Sequence, residues 1–287
     1  MRALLTLTTD FGLRDPYVGE MKGVLAACAP EAAVIDITHH VPQGNLAAGS
    51  FVLSGSFGYF PPGTLHLVVV DPGVGTGRDI LLVRTGRYRF VGPDNGVLDE
   101  AVRADGIRDI RALDQERFFR ALADRFAGNP VAERILNAGP SATFHGRDQF
   151  APFCAYLLEG GDPGAVTAGR EELAGLQLPR AEIAPGRVTG RVVYVDGFGN
   201  LITNVPAGAV DPEGEVFIRT GTTVQSVGRL RHTYASAGRG EPLALIGSRG
   251  YLEIGVNGGS ARDRLGGGYG DGVLVISGRE QEHGEGA

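Results

Sequence analysis

The sequence predicts a two-part fold: an N-terminal α/β domain on a mainly parallel central sheet, then a C-terminal antiparallel β-barrel domain. Three observations carry this prediction. From Leu4 to about Leu158, short apolar strand-like runs alternate with longer helix-like segments, as in an α/β sheet. Between Gly160 and Gly186 that pattern lapses into Gly, Pro, Ala and Glu. From Arg187 onward only short strand-like runs separated by turn residues remain. The expected divisions are 1–165 for the α/β domain, 166–186 for a linker and 187–287 for the barrel.

Within the first domain, Leu4 to Thr8 reads as a strand ending at Asp10. Asp15-Pro16 has the form of an N-cap followed by proline at the first helical position, opening a helix to about Cys28. Val34 to Ile37 is a second strand and Leu46 to Phe57 a second helix. Leu65 to Val70 is apolar on both faces, so it belongs in the middle of the sheet. Strands at Ile80 to Val83 and Tyr88 to Val91, and helices at Val131 to Asn137 and Phe150 to Leu158, complete the domain. In the second domain, strands are expected at Val188 to Val195, Glu215 to Arg219, Thr222 to Val227, Leu243 to Ile246, Tyr251 to Val256 and Val273 to Ile276. The polar last ten residues are expected to fray.

Composition excludes several classes. Net charge is −6 with no block of like charges, which argues against a nucleic-acid surface and against disorder. No stretch is long and apolar enough to span a membrane, and the N-terminal apolar run is too short for a signal peptide, so a cytoplasmic protein is expected. Cys28 and Cys154 each sit in an apolar helical pattern, as buried reduced thiols do. The partner is therefore expected to be a small molecule.

Glycine-rich turns mark where that molecule binds. Asp71-Pro72-Gly73-Val74-Gly75-Thr76-Gly77-Arg78 follows the most apolar strand, and open α/β sheets bind ligands at strand carboxyl ends. It is no phosphate loop, because the Gly-Lys-Ser/Thr ending is missing and a strand follows. No Gly-x-Gly-x-x-Gly opens a helix after the first strand, which removes a dinucleotide fingerprint. The polar residues left at strand ends and turns are Asp10, Asp71, Arg78, Asn95, His145, Asp196, Asn200, Ser248 and Arg249. Taken singly, each has a structural explanation. Asp10 and Asp15 read equally as helix caps, Asp71 as a turn former, Asn95 as part of an Asp-Asn-Gly turn, and His145 as a core histidine. Adjacent His39 and His40 point to opposite faces of a strand and make a poor chelate, so no metal site is expected.

Taken together, six segments in order resemble one family. They are Thr9-Asp10-Phe11-Gly12, Val70-Asp71-Pro72-Gly73-Val74-Gly75-Thr76, Gly92-Pro93-Asp94-Asn95-Gly96, Thr143-Phe144-His145-Gly146-Arg147-Asp148, Asp196-Gly197-Phe198-Gly199-Asn200 and Ser248-Arg249-Gly250-Tyr251-Leu252-Glu253. The set resembles the S-adenosylmethionine (SAM) hydroxide adenosyltransferases, also called SAM hydrolases, relatives of fluorinase and chlorinase. The resemblance implies an α/β domain followed by a β-barrel, and a homotrimer whose sites lie between the N-terminal domain of one subunit and the C-terminal domain of the next. The activity it implies is attack of water-derived hydroxide on the ribose 5′ carbon of SAM, giving adenosine and methionine without a cofactor.

By the same resemblance Asp71, Arg78 and His145 handle the water. The assignment suits the chemistry: a neutral thioether leaves without a general acid, so the difficulty lies in the nucleophile, which needs a fixed charge, a group to accept or orient a proton, and an anion to align them. Asp10 corresponds to a ribose-binding carboxylate, and Asn200 to an adenine-reading amide with Phe198 packed on the base. Asp196, Ser248 and Arg249 correspond to residues holding the methionine end, joined by Asp15; Asn95 is a pocket residue without an assigned partner. Two departures from the halogenases favour water: Asp71 replaces a Tyr, and Gly146 replaces a Ser at the halide position. A carboxylate there would repel halide. The alternatives are a SAM-dependent chlorinase and a non-catalytic SAM- or adenosine-binding regulator.

Overall fold

The computed structural model describes residues 2–278, so the tail expected to fray lies, apart from Gly278, outside the described residues. Residues up to Leu176 form one compact unit and those from Gln177 a second. In the first unit the strands are β1 (Leu4–Thr9), β2 (Ala33–Thr38), β3 (Leu65–Val69), β4 (Ile80–Arg84), β5 (Arg89–Pro93), β6 (Asp109–Leu113) and β7 (Thr167–Arg170). They form one sheet in the order β2-β1-β3-β5-β4-β6-β7. The first four in that order run parallel to one another, and the remaining neighbours pair antiparallel. β3 is interior and buried throughout, as its two-faced apolarity requires.

The helices of this unit are α1 (Tyr17–Cys28), α2 (Leu46–Ser54), α3 (Asp99–Ala104), α4 (Gln115–Arg125), α5 (Pro130–Ala138), α6 (Ala151–Leu158) and α7 (Pro163–Val166). Local chemistry starts several of them. Asn45 accepts from Ala48 N at 3.0 Å to cap α2, and Asn129 accepts from Val131 N and Ala132 N ahead of Pro130 in α5. Leu5, Leu7, Leu65 and Leu67 from the sheet meet Met21 and Leu25 of α1 and Phe150 and Phe153 near α6 in one core. At roughly 1.5–3 kcal/mol per buried side chain, this core makes a firm base for the strand ends. Cys28 and Cys154 are free and buried within it.

Several boundaries differ from the sequence expectation. Helix α1 starts at Tyr17, with Pro16 rather than Asp15 as its cap residue and no side-chain cap bond. The second helix stops at Ser54, and Phe57 begins a short 3₁₀ turn. Gly146–Phe150 forms a π-helical turn that leads into α6. Helices α3, α4 and α7 and strand β6 had not been anticipated. Strand β7, in the stretch expected as linker, pairs with β6.

The second unit contains β8 (Glu182–Ala184), β9 (Arg187–Val195), β10 (Leu201–Pro206), β11 (Glu215–Thr220), β12 (Thr223–Arg229), β13 (Pro242–Ile246), β14 (Tyr251–Val256) and β15 (Gly272–Ile276). All pairings are antiparallel in the order β12-β11-β15-β9-β10-β14-β13, with β8 alongside β9. A bridge between Leu230 and Ala244 links the segment after β12 to β13 and nearly closes the barrel. Leu201, Val205, Val216, Ile218, Leu252 and Ile254 fill its interior. One short helix, α8 (Ala261–Leu265), corrects the expectation of an all-strand domain; Ser260 caps it by accepting from Asp263 N at 3.1 Å. Among the described residues no helix is long and apolar enough to cross a membrane.

Candidate active site

Parallel neighbours β1, β3 and β5 all end at the same edge of the sheet, so Asp10, Asp71 and Asn95 emerge together just beyond their carboxyl ends. The Asp10 carboxylate accepts from Gly44 N at 2.8 Å. Burial raises its pKa, Gly44 opposes that, and the charge of Asp71 raises it further, which places the two carboxylates in one electrostatic neighbourhood. The amide of Asn95 is spent on structure: Nδ2 donates to Val70 O at 2.9 Å and Oδ1 accepts from Val97 N at 3.2 Å.

Asp71, Arg78 and His145 are brought into direct contact. Arg78 Nε donates to both Asp71 oxygens at 3.0 Å, and its Nη2 donates both to Asp71 Oδ2 and, at 3.0 Å, to His145 Nδ1. The pair is nearly buried, with side-chain exposures of 9% for Arg78 and 4% for Asp71. The guanidinium also lies over the Phe150 ring, 5.3 Å from its centroid. Because a guanidinium can only donate, Nδ1 of His145 must present its lone pair, and the neutral ring carries its hydrogen on Nε2. Burial and then the Arg78 charge push the His145 pKa down, against smaller opposing effects of Asp71 and Asp148. His145 is therefore held neutral.

Two devices register the His145 loop against the Asp71 turn. Gly75, at φ +79°, lets the turn approach so closely that a Cβ there would lie 2.5 Å from Ala142 O. Beyond the histidine, Arg147 forms a fork on Asp148 (2.6 and 3.0 Å) and reaches Glu20 of α1 at 2.9 Å, while Asp148 accepts from Ser141 N at 2.9 Å. Phe11, Tyr17 and Phe144 pack edge-to-face beside this loop, with centroids 5.0–6.1 Å apart. Gly146 leaves little room: a Cβ would meet Met21 Sδ and Phe144 at 3.0 Å and Phe11 at 3.2 Å. Asp15 is exposed at the surface. A cavity of about 440 Å³ lined by Glu20, Val24, Val131, Arg134, Ile135 and Arg147 is bounded by none of the candidate residues.

In the second unit, Asp196, Phe198 and Asn200 occupy the loop between β9 and β10, and Ser248 and Arg249 the tip between β13 and β14. Asp196 Oδ1 accepts from Phe198 N and Asn200 N, and Oδ2 from Asn200 Nδ2, all at 2.9 Å. Asn200 is buried, whereas Phe198 is 81% exposed. Burial raises the Tyr194 pKa, with Arg249 lowering and Asp196 raising it, so both loops act on this one phenol. Asn200 also donates to the Tyr234 hydroxyl at 3.2 Å, and Tyr234 in turn donates to Glu253. Sequence reasoning passed over Tyr194 and Tyr234 and gave Glu253 no role. The available signal was faint, a polar Glu within an otherwise apolar strand.

His39 turns inward, with Nδ1 2.9 Å from Thr9 Oγ1, while His40 is exposed. Among the described residues no group of His, Cys, Asp or Glu could hold a metal ion.

Sequence models of the SAM hydroxide adenosyltransferase N-terminal and C-terminal domains match residues 5–167 and 190–274. The chain belongs to the SAM hydroxide adenosyltransferase family. It is similar to the (R)-S-adenosyl-L-methionine hydrolase of Thermus thermophilus, at 39% identity over 90% of this chain and 93% of the relative. The similarity to the fluorinase of Actinopolyspora mzabensis is more distant, at 24% identity over 89% of this chain and 91% of the relative. A crystal structure of an uncharacterized conserved protein from Thermotoga maritima superposes with a TM-score of 0.80 at 34% identity, covering 95% of this chain and all of the other.

Proposed function

We propose that this protein hydrolyses SAM to adenosine and methionine through attack of water-derived hydroxide on the ribose 5′ carbon. The observation that carries the proposal is the buried triad in which Arg78 donates to Asp71 and to Nδ1 of a neutral His145. Arg78 supplies the fixed positive charge that stabilises a developing hydroxide. His145, with Nδ1 occupied, engages the nucleophile as a donor through Nε2–H. Asp71 aligns the guanidinium and has lone pairs left to take the proton. The attacking water becomes acidic as its bond to carbon forms, so a weakly basic carboxylate suffices. Methionine departs as a neutral thioether, and the reaction needs neither metal nor cofactor.

Substrate contacts divide between the units. Asp10 holds the ribose hydroxyls and Asn95 shapes the pocket in the N-terminal unit. Asn200 reads adenine, Phe198 packs on the base, and Asp196, Ser248 and Arg249 hold the methionine end, with Asp15 on the ammonium side. The two sets meet across the subunit interfaces of a cytoplasmic homotrimer, the assembly that the family resemblance implies. Light scattering behind size exclusion tests the trimer.

The similarity to a hydrolase at 39% identity, against 24% for a fluorinase, supports water as nucleophile, as does Asp71, whose charge would repel halide. Incubation with SAM in chloride-free buffer and again with chloride tests the activity. Adenosine in both is expected. A chlorinated nucleoside would make the protein a halogenase, and tight binding without product a regulator.

A further inference from the structure

We propose that Tyr234 and Glu253 are positioning residues that fix the polarity of the Asn200 amide, making its subsite selective for a purine carrying a 6-amino group. The inference rests on the reading of SAM as substrate with Asn200 at its base. Asn200 Nδ2 donates one hydrogen to Asp196 Oδ2 at 2.9 Å and the other to the Tyr234 hydroxyl oxygen at 3.2 Å. A phenol has a single hydrogen, and Tyr234 spends it on Glu253 Oε1. Its oxygen must therefore accept from Asn200. Exchanging the amide oxygen and nitrogen would set Oδ1 against two groups that can only accept, the Asp196 carboxylate and the committed phenol. Burial of Asn200 and Glu253 makes that mismatch costly. Gly255 leaves room for the arrangement, since a Cβ there would lie 2.7 Å from the Tyr234 ring and 3.1 Å from Asn200 Oδ1.

With both amide hydrogens committed, Oδ1 is what Asn200 offers a ligand, and it only accepts. The 6-amino group of adenine donates, whereas the 6-oxo group of hypoxanthine accepts and would face a second acceptor. Without the Tyr234 hydroxyl, the amide loses one of its two locks, so discrimination falls while the hydroxide-handling triad is untouched.

The test compares kcat/KM for SAM and for its 6-oxo counterpart, S-inosylmethionine. The parent is expected to prefer SAM by on the order of 10- to 100-fold. Tyr234→Phe should lower that preference about tenfold, through KM more than kcat. Glu253→Gln, which keeps an oxygen to accept from Tyr234, should by contrast retain most of it. A preference unchanged in Tyr234→Phe, or a loss confined to kcat, overturns the relay. If the parent consumes neither compound, the proposed reaction fails separately, and calorimetry with adenosine and inosine then decides the relay. A preference for adenosine that Tyr234→Phe abolishes supports it; equal binding of the two by the parent overturns it.

Discussion

Replacing Arg78 with Met removes the guanidinium that touches both Asp71 and His145 while keeping a side chain of similar length. Three effects follow from the geometry. Asp71, with a side chain only 4% exposed, loses its cationic partner, and breaking a buried pair from one side costs about 3–5 kcal/mol. The nucleophile loses its fixed charge, and removing one such preorganised group lowers kcat by about 10²–10³-fold. The third effect has a definite sign. Burial and Arg78 hold the His145 pKa down while Asp71 pulls it up, so without Arg78 the remaining carboxylate raises it. In the proposed reaction neutral His145 is the active form, so activity should be lost as pH falls through its pKa. The acid limb of kcat must therefore move to higher pH in the variant. Urea unfolding, a kcat–pH profile and an NMR titration of the His145 ring report the three separately. A kcat within about fivefold of the parent, far short of 10², in a folded variant with an unmoved acid limb would refute the reasoning.

Gly75→Ala imposes about 1–3 kcal/mol of backbone strain at φ +79° and drives a methyl against Ala142 O, so Tm and kcat should both fall. Gly77→Ala, where a Cβ meets nothing within 4 Å, is the matched control, and equal behaviour of the two variants would sink the argument. His66 is fully buried, with Nδ1 2.7 Å from Thr6 Oγ1, and burial pushes its pKa down from 6.5 to about 4. The unfolded chain thus takes up the proton first. Stability is intact above pH 6.5 and falls by about 3 kcal/mol as pH drops to 4. His66→Leu should flatten that part of the urea-derived stability profile, and an unchanged slope would exclude His66 as its source. Gly146→Ser crowds Met21, Phe144 and Phe11, costing about 1–3 kcal/mol, and should yield no chlorinated nucleoside in chloride while Asp71 remains. Chlorinated product from that single change would show that Asp71 does not exclude halide.

Much of the fold was legible because its strongest elements carry local signals. β3 is apolar on both faces apart from the buried His66 and lies inside the sheet, and the barrel strand Tyr251–Val256 stands where its pattern placed it. The elements that escaped notice carry charge. β6 reads Asp-Ile-Arg-Ala-Leu, and α4 packs Phe118 and Leu122 beneath a largely charged surface. Strand β7 contains Gly and Arg and is made by pairing with β6, which no local pattern announces. Asp71, Arg78 and His145 could be grouped only through the family resemblance, since Arg78 and His145 are 67 positions apart. The tautomer of His145 and the locked amide of Asn200 depend on who donates to whom, which is fixed by three-dimensional neighbours.

Hydrolysis of SAM in water enriched in oxygen-18, followed by mass analysis of both products, bears most directly on the central claim. Attack of water at the 5′ carbon predicts adenosine carrying one heavy oxygen on its ribose and unlabelled methionine. Adenosine without the heavy oxygen, or its absence from the products, would contradict hydroxide delivery by Asp71, Arg78 and His145.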